Sequence, residues 1–263
     1  MGYVDFHNHV MPAVDDGAQS VAESSDALNA FKEAGVSVVV ATPHVAASLT
    51  VKQPDCKVWL RELDAAFAEL QACAAQIGGV RVERGVELAL DIPEPDLSDP
   101  RLRLAGGRFF LMEFPAMTVP PGSERVLSDL CESGVIPIIA HPERYYGVLN
   151  ALELVGAWRT AGAYLQLNSG SLLGRYGPDA RNVGFELLRR GWVDYLSSDY
   201  HSRGPTLVRQ CWSLLETLDA KEQAYTLMKI NPSRMLEGNP PLPVQPLRLK
   251  PTLWSRVAAV FRS

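Results

Sequence analysis

Seven times along the chain a short run rich in β-branched and aromatic residues gives way to a helical stretch, and no other feature restricts the fold as much. The runs are VDF at the start, VSVVVAT (36–42), RVERGVEL (81–88), FFLMEF (109–114), VIPIIA (135–140), AYLQL (163–167) and VDYLS (193–197). Strands that are apolar on both faces suit a sheet covered by helices on either side. Helical spacing covers roughly 20–35, 57–77, 122–133, 150–161, 179–190, 206–218 and 220–229. The first of these opens on Ser20 and Glu23, a capping-box spacing, and stops at Gly35. Repeated strand–helix–strand order predicts a parallel α/β sheet, either closed into a barrel or open and doubly wound. No G-x-G-x-x-G follows the first run and no P-loop occurs, which removes two common nucleotide-binding variants.

The 263 residues show no linker before residue 238, so one domain over 1–237 is expected. The remainder, 238–263, changes texture. GNPPLPVQPLRLKP is proline-rich and should run extended, and Leu253, Trp254, Val257, Val260 and Phe261 then recur at helical spacing. From Gly238 onward there are four basic residues and no acid. This tail reads either as a solvated end or as a weak membrane-surface anchor, with Trp254 and Phe261 beside Arg256 and Arg262. The formal net charge of −5 argues against a nucleic-acid partner. No apolar run approaches the ~20 residues of a membrane span, and the N-terminus lacks a signal-peptide pattern, so a cytoplasmic location is expected. The four cysteines, Cys56, Cys73, Cys131 and Cys211, have no metal-ligand spacing; Cys73 and Cys211 fall in apolar stripes and should be buried. None is followed six positions later by arginine, so the phosphate loop of cysteine-dependent phosphatases is absent.

The five histidines point to chemistry. His7 and His9 follow the first run, His44 ends VVVATPH, His141 ends IPIIAH and His201 ends YLSSDYH. All five therefore sit at, or just past, the C-terminal end of an expected strand. In a parallel barrel those ends form the face that carries the active site. Side chains two apart on a strand point the same way, so His7 with His9, and Asp199 with His201, can each reach one ion. A lone strand-end histidine is ordinarily a satisfied polar residue, but five of five in such places indicate a metal site. Glu113, inside FFLMEFP, needs either an ion or a buried arginine partner. Glu87 or Glu83, and Asp16 or Asp15, complete the set; spacing does not choose between them, and an acid in DDG also suits a turn. Mixed imidazole and carboxylate ligands suit Mn²⁺, Zn²⁺ and Fe²⁺, and so many ligands exceed one ion, so two or three are expected.

The ordered motifs D-x-H-x-H, DDG, T-P-H, G-x-E, x-E-F-P, A-H-P-E-R-Y and S-D-x-H, with the late NPSRML, span about 3–236. Together they resemble the polymerase-and-histidinol-phosphatase (PHP) superfamily. More narrowly, they resemble its bacterial protein-tyrosine phosphatases of the CpsB/YwqE type, encoded with capsule and exopolysaccharide genes. The resemblance implies a distorted seven-stranded (β/α)7 barrel, TIM-barrel-like, with the metal site at the C-terminal ends of its strands. It further implies a trinuclear centre. His7, His9, Glu87 and Asp199 would hold one ion, a bridging Glu87 with Glu113 and His141 a second, and Asp16, His44 and His201 a third. Manganese is the implied metal, with iron or zinc as alternatives.

The implied reaction is hydrolysis of phosphotyrosine on a bacterial tyrosine autokinase by metal-activated hydroxide, at the inner face of the membrane or in the cytoplasm. Arg144 and Arg203 join His141 and Asp199 as its catalytic groups. Taken alone, Arg144 reads as a two-pronged phosphate contact or as an ion pair with Glu143. Asn168 and Ser169 read as ligand-orienting groups or as turn residues. The alternatives are a histidinol-phosphate phosphatase, which Glu113 and AHPERY disfavour, and an amidohydrolase. The latter commonly needs a carboxylated lysine, and none of the six lysines ends a core strand.

Overall fold

The computed structural model describes residues 2–248; the helical spacing and candidate anchor at 253–262 lie outside the described residues. The strands are β1 (Tyr3–Asp5), β2 (Val36–Ala41), β3 (His44–Ala46), β4 (Arg81–Arg84), β5 (Glu87–Ala89), β6 (Phe109–Glu113), β7 (Ile136–Ala140), β8 (Tyr164–Asn168) and β9 (Tyr195–Ser197). All pair in parallel, in two sheets ordered β1-β2-β4 and β3-β5-β6-β7-β8-β9.

The described residues thus hold nine strands where seven were expected, because two of the runs are interrupted. After the run at 36–42, Pro43 supplies no N–H to a ladder, and a separate strand starts at His44. RVERGVEL breaks at Gly85, which lies so close to Leu104 that a Cβ would sit 2.9 Å from its Cδ2. In both cases the first half belongs to the smaller sheet and the second half to the larger. Hydrogen bonds bridge the breaks, from Gly85 N–H to the Ala41 carbonyl (2.9 Å) and from Glu87 N–H to the Pro43 carbonyl (3.0 Å).

The sheets also meet where the first and last strands end. His9 N–H donates to the Tyr200 carbonyl and Asp199 N–H to the His7 carbonyl, both at 2.8 Å. Beneath them the buried Asp5 carboxylate accepts from Asn8 Nδ2, Ser198 N–H and Ser198 Oγ at 2.8–3.1 Å. Ser197 Oγ accepts from both Phe6 N–H and His7 N–H, each at 3.0 Å.

The helices are α1 (Val21–Glu33), α2 (Ala47–Thr50), α3 (Gln53–Ile77), α4 (Ser123–Glu132), α5 (Leu152–Thr160), α6 (Ser169–Leu172), α7 (Gly177–Arg189), α8 (Val208–Thr217), α9 (Lys221–Tyr225) and α10 (Asn231–Leu236). At α1 Ser20 Oγ accepts from Glu23 N–H, while the Glu23 carboxylate accepts from Gln19 N–H at 2.8 Å, one residue before the cap. The helical stretch expected to stop near 229 instead continues through a π turn at Thr226–Ile230 into α10. Pro232 falls just past the π turn, where Asn231 N–H donates five residues back to the Thr226 carbonyl and the ladder shifts register, so the N–H that proline lacks falls where the helical pattern is already altered.

Two apolar clusters cover opposite faces of the strands. Leu28, Phe31, Leu63, Leu70, Trp158 and Phe185 pack between strands and helices, and Cys73 and Cys211 are buried among them as expected. Phe6, Val40, Leu111, Ile138 and Tyr195, drawn from both sheets, form the second cluster. Residues 239–248 follow without regular structure; Leu247 N–H donates to the Leu188 carbonyl at 2.9 Å, and Val244 and Leu247 are buried. No helix among the described residues is long and apolar enough to cross a membrane.

Candidate metal centre

Every histidine is delivered to one place by a strand terminus. His7 and His9 lie just past β1, His44 opens β3 directly opposite Glu87 of β5, and Glu113 closes β6. His141 follows β7, and Asp199 and His201 follow β9. His141 and Asp199 both turn off their strands with positive φ, 35° and 52°. An aspartate tolerates that region better than most side chains.

Three groups of ligand-type atoms result. In the first, His7 Nε2 lies 3.1 Å from Glu87 Oε2 and 3.3 Å from Asp199 Oδ1, and His9 Nε2 lies 3.3 and 3.5 Å from the same two atoms. In the second, Asp16 Oδ1 is 3.6 Å from His44 Nε2 and 3.4 Å from His201 Nε2, with the His9 ring stacked on His201 at 3.9 Å. In the third, His44 Nδ1 lies 3.2 Å from both Glu87 Oε2 and Glu113 Oε1. His141 Nε2 approaches the same pair of acids, at 2.9 Å from Glu87 Oε1 and 3.7 Å from Glu113 Oε2. His44 therefore faces two groups at once, one through each ring nitrogen.

This donor set fits divalent cations. His7 Nε2, His9 Nε2, His44 Nδ1 and Glu87 Oε2 are buried and have no hydrogen-bond partner, although a buried polar atom ordinarily finds one. Imidazole nitrogens and carboxylate oxygens aimed at shared points suit transition-metal ions. The electrostatics agree. Burial disfavours a charged His7, but Glu87 and Asp199 outweigh it and push the imidazole up to about 9. Burial would likewise raise Glu87, yet His7 and the hydrogen bond from His141 hold it well below the usual carboxylate range. The acids thus draw positive charge into a water-poor interior.

A second layer orients the ligands. His7 Nδ1–H donates to Gln166 Oε1 at 2.8 Å and His9 Nδ1–H to Asp15 Oδ2 at 2.6 Å, which leaves both Nε2 lone pairs facing inward. The two neighbouring acids in DDG are thereby distinguished. The Asp15 side chain is 5% exposed and committed to His9, whereas that of Asp16 is 58% exposed and faces His44 and His201. Burial acts against ionised Asp15, but the bonds from His9 prevail and hold it down at about 2. Glu83 pairs with Arg81 at 2.6 Å on the outside, away from the centre.

Asp199 is held from its other side by Asn168 Nδ2 and Arg144 Nη1, both at 2.6 Å. Arg144 also lies 4.2 Å from the ring centroid of Tyr176. It does not pair with Glu143, which is buried and accepts from Ser171 Oγ (2.6 Å) and Asn168 N–H (3.1 Å). Arg203 Nη2 donates to the Asp16 carbonyl at 3.1 Å and so braces the loop that presents Asp16. Ser169 is buried at the start of α6 and its hydroxyl has no hydrogen bond within the site. Gln166 and Tyr176 escaped the sequence reading. Gln166 had one legible signal, its place two residues before Asn168 on one strand face, and its Nε2 does donate to Asn168 Oδ1 at 2.9 Å.

A Gln166→Leu substitution releases the His7 tautomer without touching an ion. Cation affinity is expected to fall about 10- to 100-fold, read by titrating a divalent cation into the metal-free protein and following its thermal midpoint.

The fold and site define a parallel α/β protein with a histidine–carboxylate cluster at its strand ends whose donors suit divalent cations. The sequence model of the family "Capsular polysaccharide synthesis, CpsB/CapC" matches residues 3–237, and the chain belongs to that family. It is 28% identical over 200 residues to the tyrosine-protein phosphatase YwqE of Bacillus subtilis, covering 76% of this chain and 77% of that one. Against the tyrosine-protein phosphatase CpsB of Streptococcus agalactiae it is 24% identical over 250 residues, covering 90% and 99%. A crystal structure from work on Bacillus subtilis YwqE and Streptococcus pneumoniae CpsB, described as unique metal-dependent tyrosine phosphatases, superposes with a TM-score of 0.77 at 27% identity. That superposition covers 93% of this chain and 99% of the other.

Proposed function

We propose that the chain is a metal-dependent protein-tyrosine phosphatase. The observation that carries this is the convergence of unpartnered His7 Nε2, His9 Nε2 and Glu87 Oε2 beside an arginine held at the edge of the same site. His7, His9, Glu87 and Asp199 would hold one cation, Asp16, His44 and His201 another, and Glu87, Glu113 and His141 a third, with His44 also within reach of the last. When bound, divalent cations supply Lewis acidity and a water of lowered pKa at neutral pH. The mixed donor set accommodates manganese, iron and zinc, and we take manganese first because the family resemblance implies it.

The chain's own groups bind and orient. Arg144, fixed between the Asp199 carboxylate and the Tyr176 ring, offers its remaining N–H groups to phosphoryl oxygens. Arg203 contributes through the Asp16 loop. A phenolate leaving group with pKa of about 10 departs without a strong general acid, so a site whose histidines and carboxylates are all turned to ligation suffices. The relatives' names favour phosphotyrosine over histidinol phosphate.

The substrate we propose is a phosphotyrosyl protein of capsule or exopolysaccharide assembly, namely a tyrosine autokinase, met in the cytoplasm or at the inner membrane face. Residues 1–237 would form the phosphatase domain and 238–263 an appended basic tail that touches the membrane surface. We further propose that the two sheets act as one distorted seven-membered barrel, a reading supported by the bonds between the segments after β1 and β9 and by the apolar cluster common to both sheets.

Turnover of a tyrosine-phosphorylated peptide and of histidinol phosphate, each with Mn²⁺ and after chelation, tests the reading. Metal-dependent release from the peptide is expected, and a preference for histidinol phosphate would move the activity to small alkyl phosphates. Tyr176→Leu frees the Arg144 guanidinium and should raise KM for the peptide about 10-fold, with a smaller change in kcat. Tyr176→Phe keeps the ring face and should behave as wild type.

A further inference from the structure

At the opposite ends of the strands from the metal centre, a cleft of about 420 Å³ opens between the 95–98 loop, the turn leading into β6 and the C-terminal end of α4. Its walls combine Pro95, Leu97 and Phe110 with two arginines, Arg103 and Arg108. Arg103 is half-buried, and its Nε is shielded from solvent with no hydrogen-bond partner. Its guanidinium lies 5.8 Å from the Phe110 ring centroid. Shielding one N–H of a guanidinium from water without a partner is unfavourable.

Two acids of the same stretch are turned to other partners. Asp99 pairs with Arg101 at 2.7 Å, and Asp96 accepts from Ser98 N–H at 3.0 Å and Gln53 Nε2 at 3.1 Å. Arg108 stands exposed at the rim, and among the described residues neither it nor Arg103 has an ion-pair partner. Two like charges lining one cleft create a local positive potential, and guanidinium forks match tetrahedral oxyanions.

We propose that this cleft binds the phosphate group of a small soluble organic phosphate. Arg103 meets the phosphate from the wall and Arg108 from the rim, and Pro95, Leu97 and Phe110 flank the organic part. The inference does not depend on the reading of the metal centre.

Equilibrium dialysis of the full-length, metal-loaded protein against labelled inorganic phosphate tests it. Wild type is expected to bind one phosphate more per chain than an Arg103→Gln/Arg108→Gln variant, whatever the metal centre itself binds. Removing an unpaired, half-buried charge should leave the variant folded, with an unchanged or higher thermal midpoint and unaltered phosphotyrosine turnover. Equal phosphate binding by the two proteins overturns the proposal. So does arginine-dependent flotation with phosphatidylcholine vesicles containing phosphatidic acid, because the source would then be a lipid headgroup and not a soluble ligand.

Discussion

Asp199→Asn is expected to lower phosphotyrosine turnover by on the order of 10³-fold or more while leaving the fold intact. Asp199 is where the site's groups meet. One carboxylate oxygen faces His7, His9 and His201 at 3.3–3.5 Å, and the other accepts from Arg144 and Asn168 at 2.6 Å. The substitution removes a ligand charge and, with the same stroke, the ionic anchor of Arg144. Asparagine matches aspartate in volume and tolerates the φ of 52° at this position, so the backbone has no reason to move. His201→Ala should likewise abolish hydrolysis. Thermal unfolding and kcat measured on the same preparations separate lost chemistry from lost fold. Retained turnover in both variants would show that the strand-end face is not the active site.

Stripping divalent cations from the holoprotein should abolish turnover and lower its thermal midpoint by about 10 °C. A ligand present at about 1,000 times its Kd stabilises the native state by about 4 kcal/mol, and a domain of this size gains roughly 2–4 °C per kcal/mol. The difference should depend on pH in a defined direction. Without metal, Glu87 is balanced by protonated imidazoles, and His7 titrates at about 9, above the ordinary 6.5. A histidine raised in the folded state contributes stability that is complete below its unfolded pKa and is lost as pH rises through the folded value. Metal-free protein should therefore weaken between about pH 6.5 and 9. The loaded protein, whose ligating imidazoles are already neutral, should not weaken by this route. Scanning calorimetry of both forms across that window should show the midpoints diverging as pH rises; parallel curves would remove the histidine–carboxylate core from the account.

The histidines were legible because a strand end leaves a one-dimensional trace, an apolar run followed by an imidazole, and four such traces, the first carrying two imidazoles, had a common meaning. The interruptions at Pro43 and Gly85 were not, since a broken run and a continuous one look alike when both halves are β-branched. The Gly85 break depends on the approach of Leu104, a contact between segments distant in the chain. DDG shows the limit at single-residue scale. Asp15 and Asp16 are adjacent and chemically identical, and only the fold turns one inward to His9 and the other outward to His44 and His201. Gln166 carries no charge and sits mid-strand, so composition passes over it; its role appears only once β8 lies beneath His7. His44 was expected to serve Asp16 and His201, and its second nitrogen reaches the Glu87–Glu113 pair because β3 is in direct register with β5.

The hydrogen bonds between the segments after β1 and β9 have a consequence for synthesis. His7 and His9 leave the ribosome early, Asp15 and Glu87 soon after, and Asp199 and His201 late, so for most of translation the growing chain lacks the carboxylate that closes the group around the two imidazoles. Contacts between such distant segments form slowly and together. A truncated product cannot complete the group of His7, His9, Glu87 and Asp199, so cation capture there would report that the final strand has been made and docked. In a cell, loading with metal would separate finished chains from fragments without any dedicated inspector.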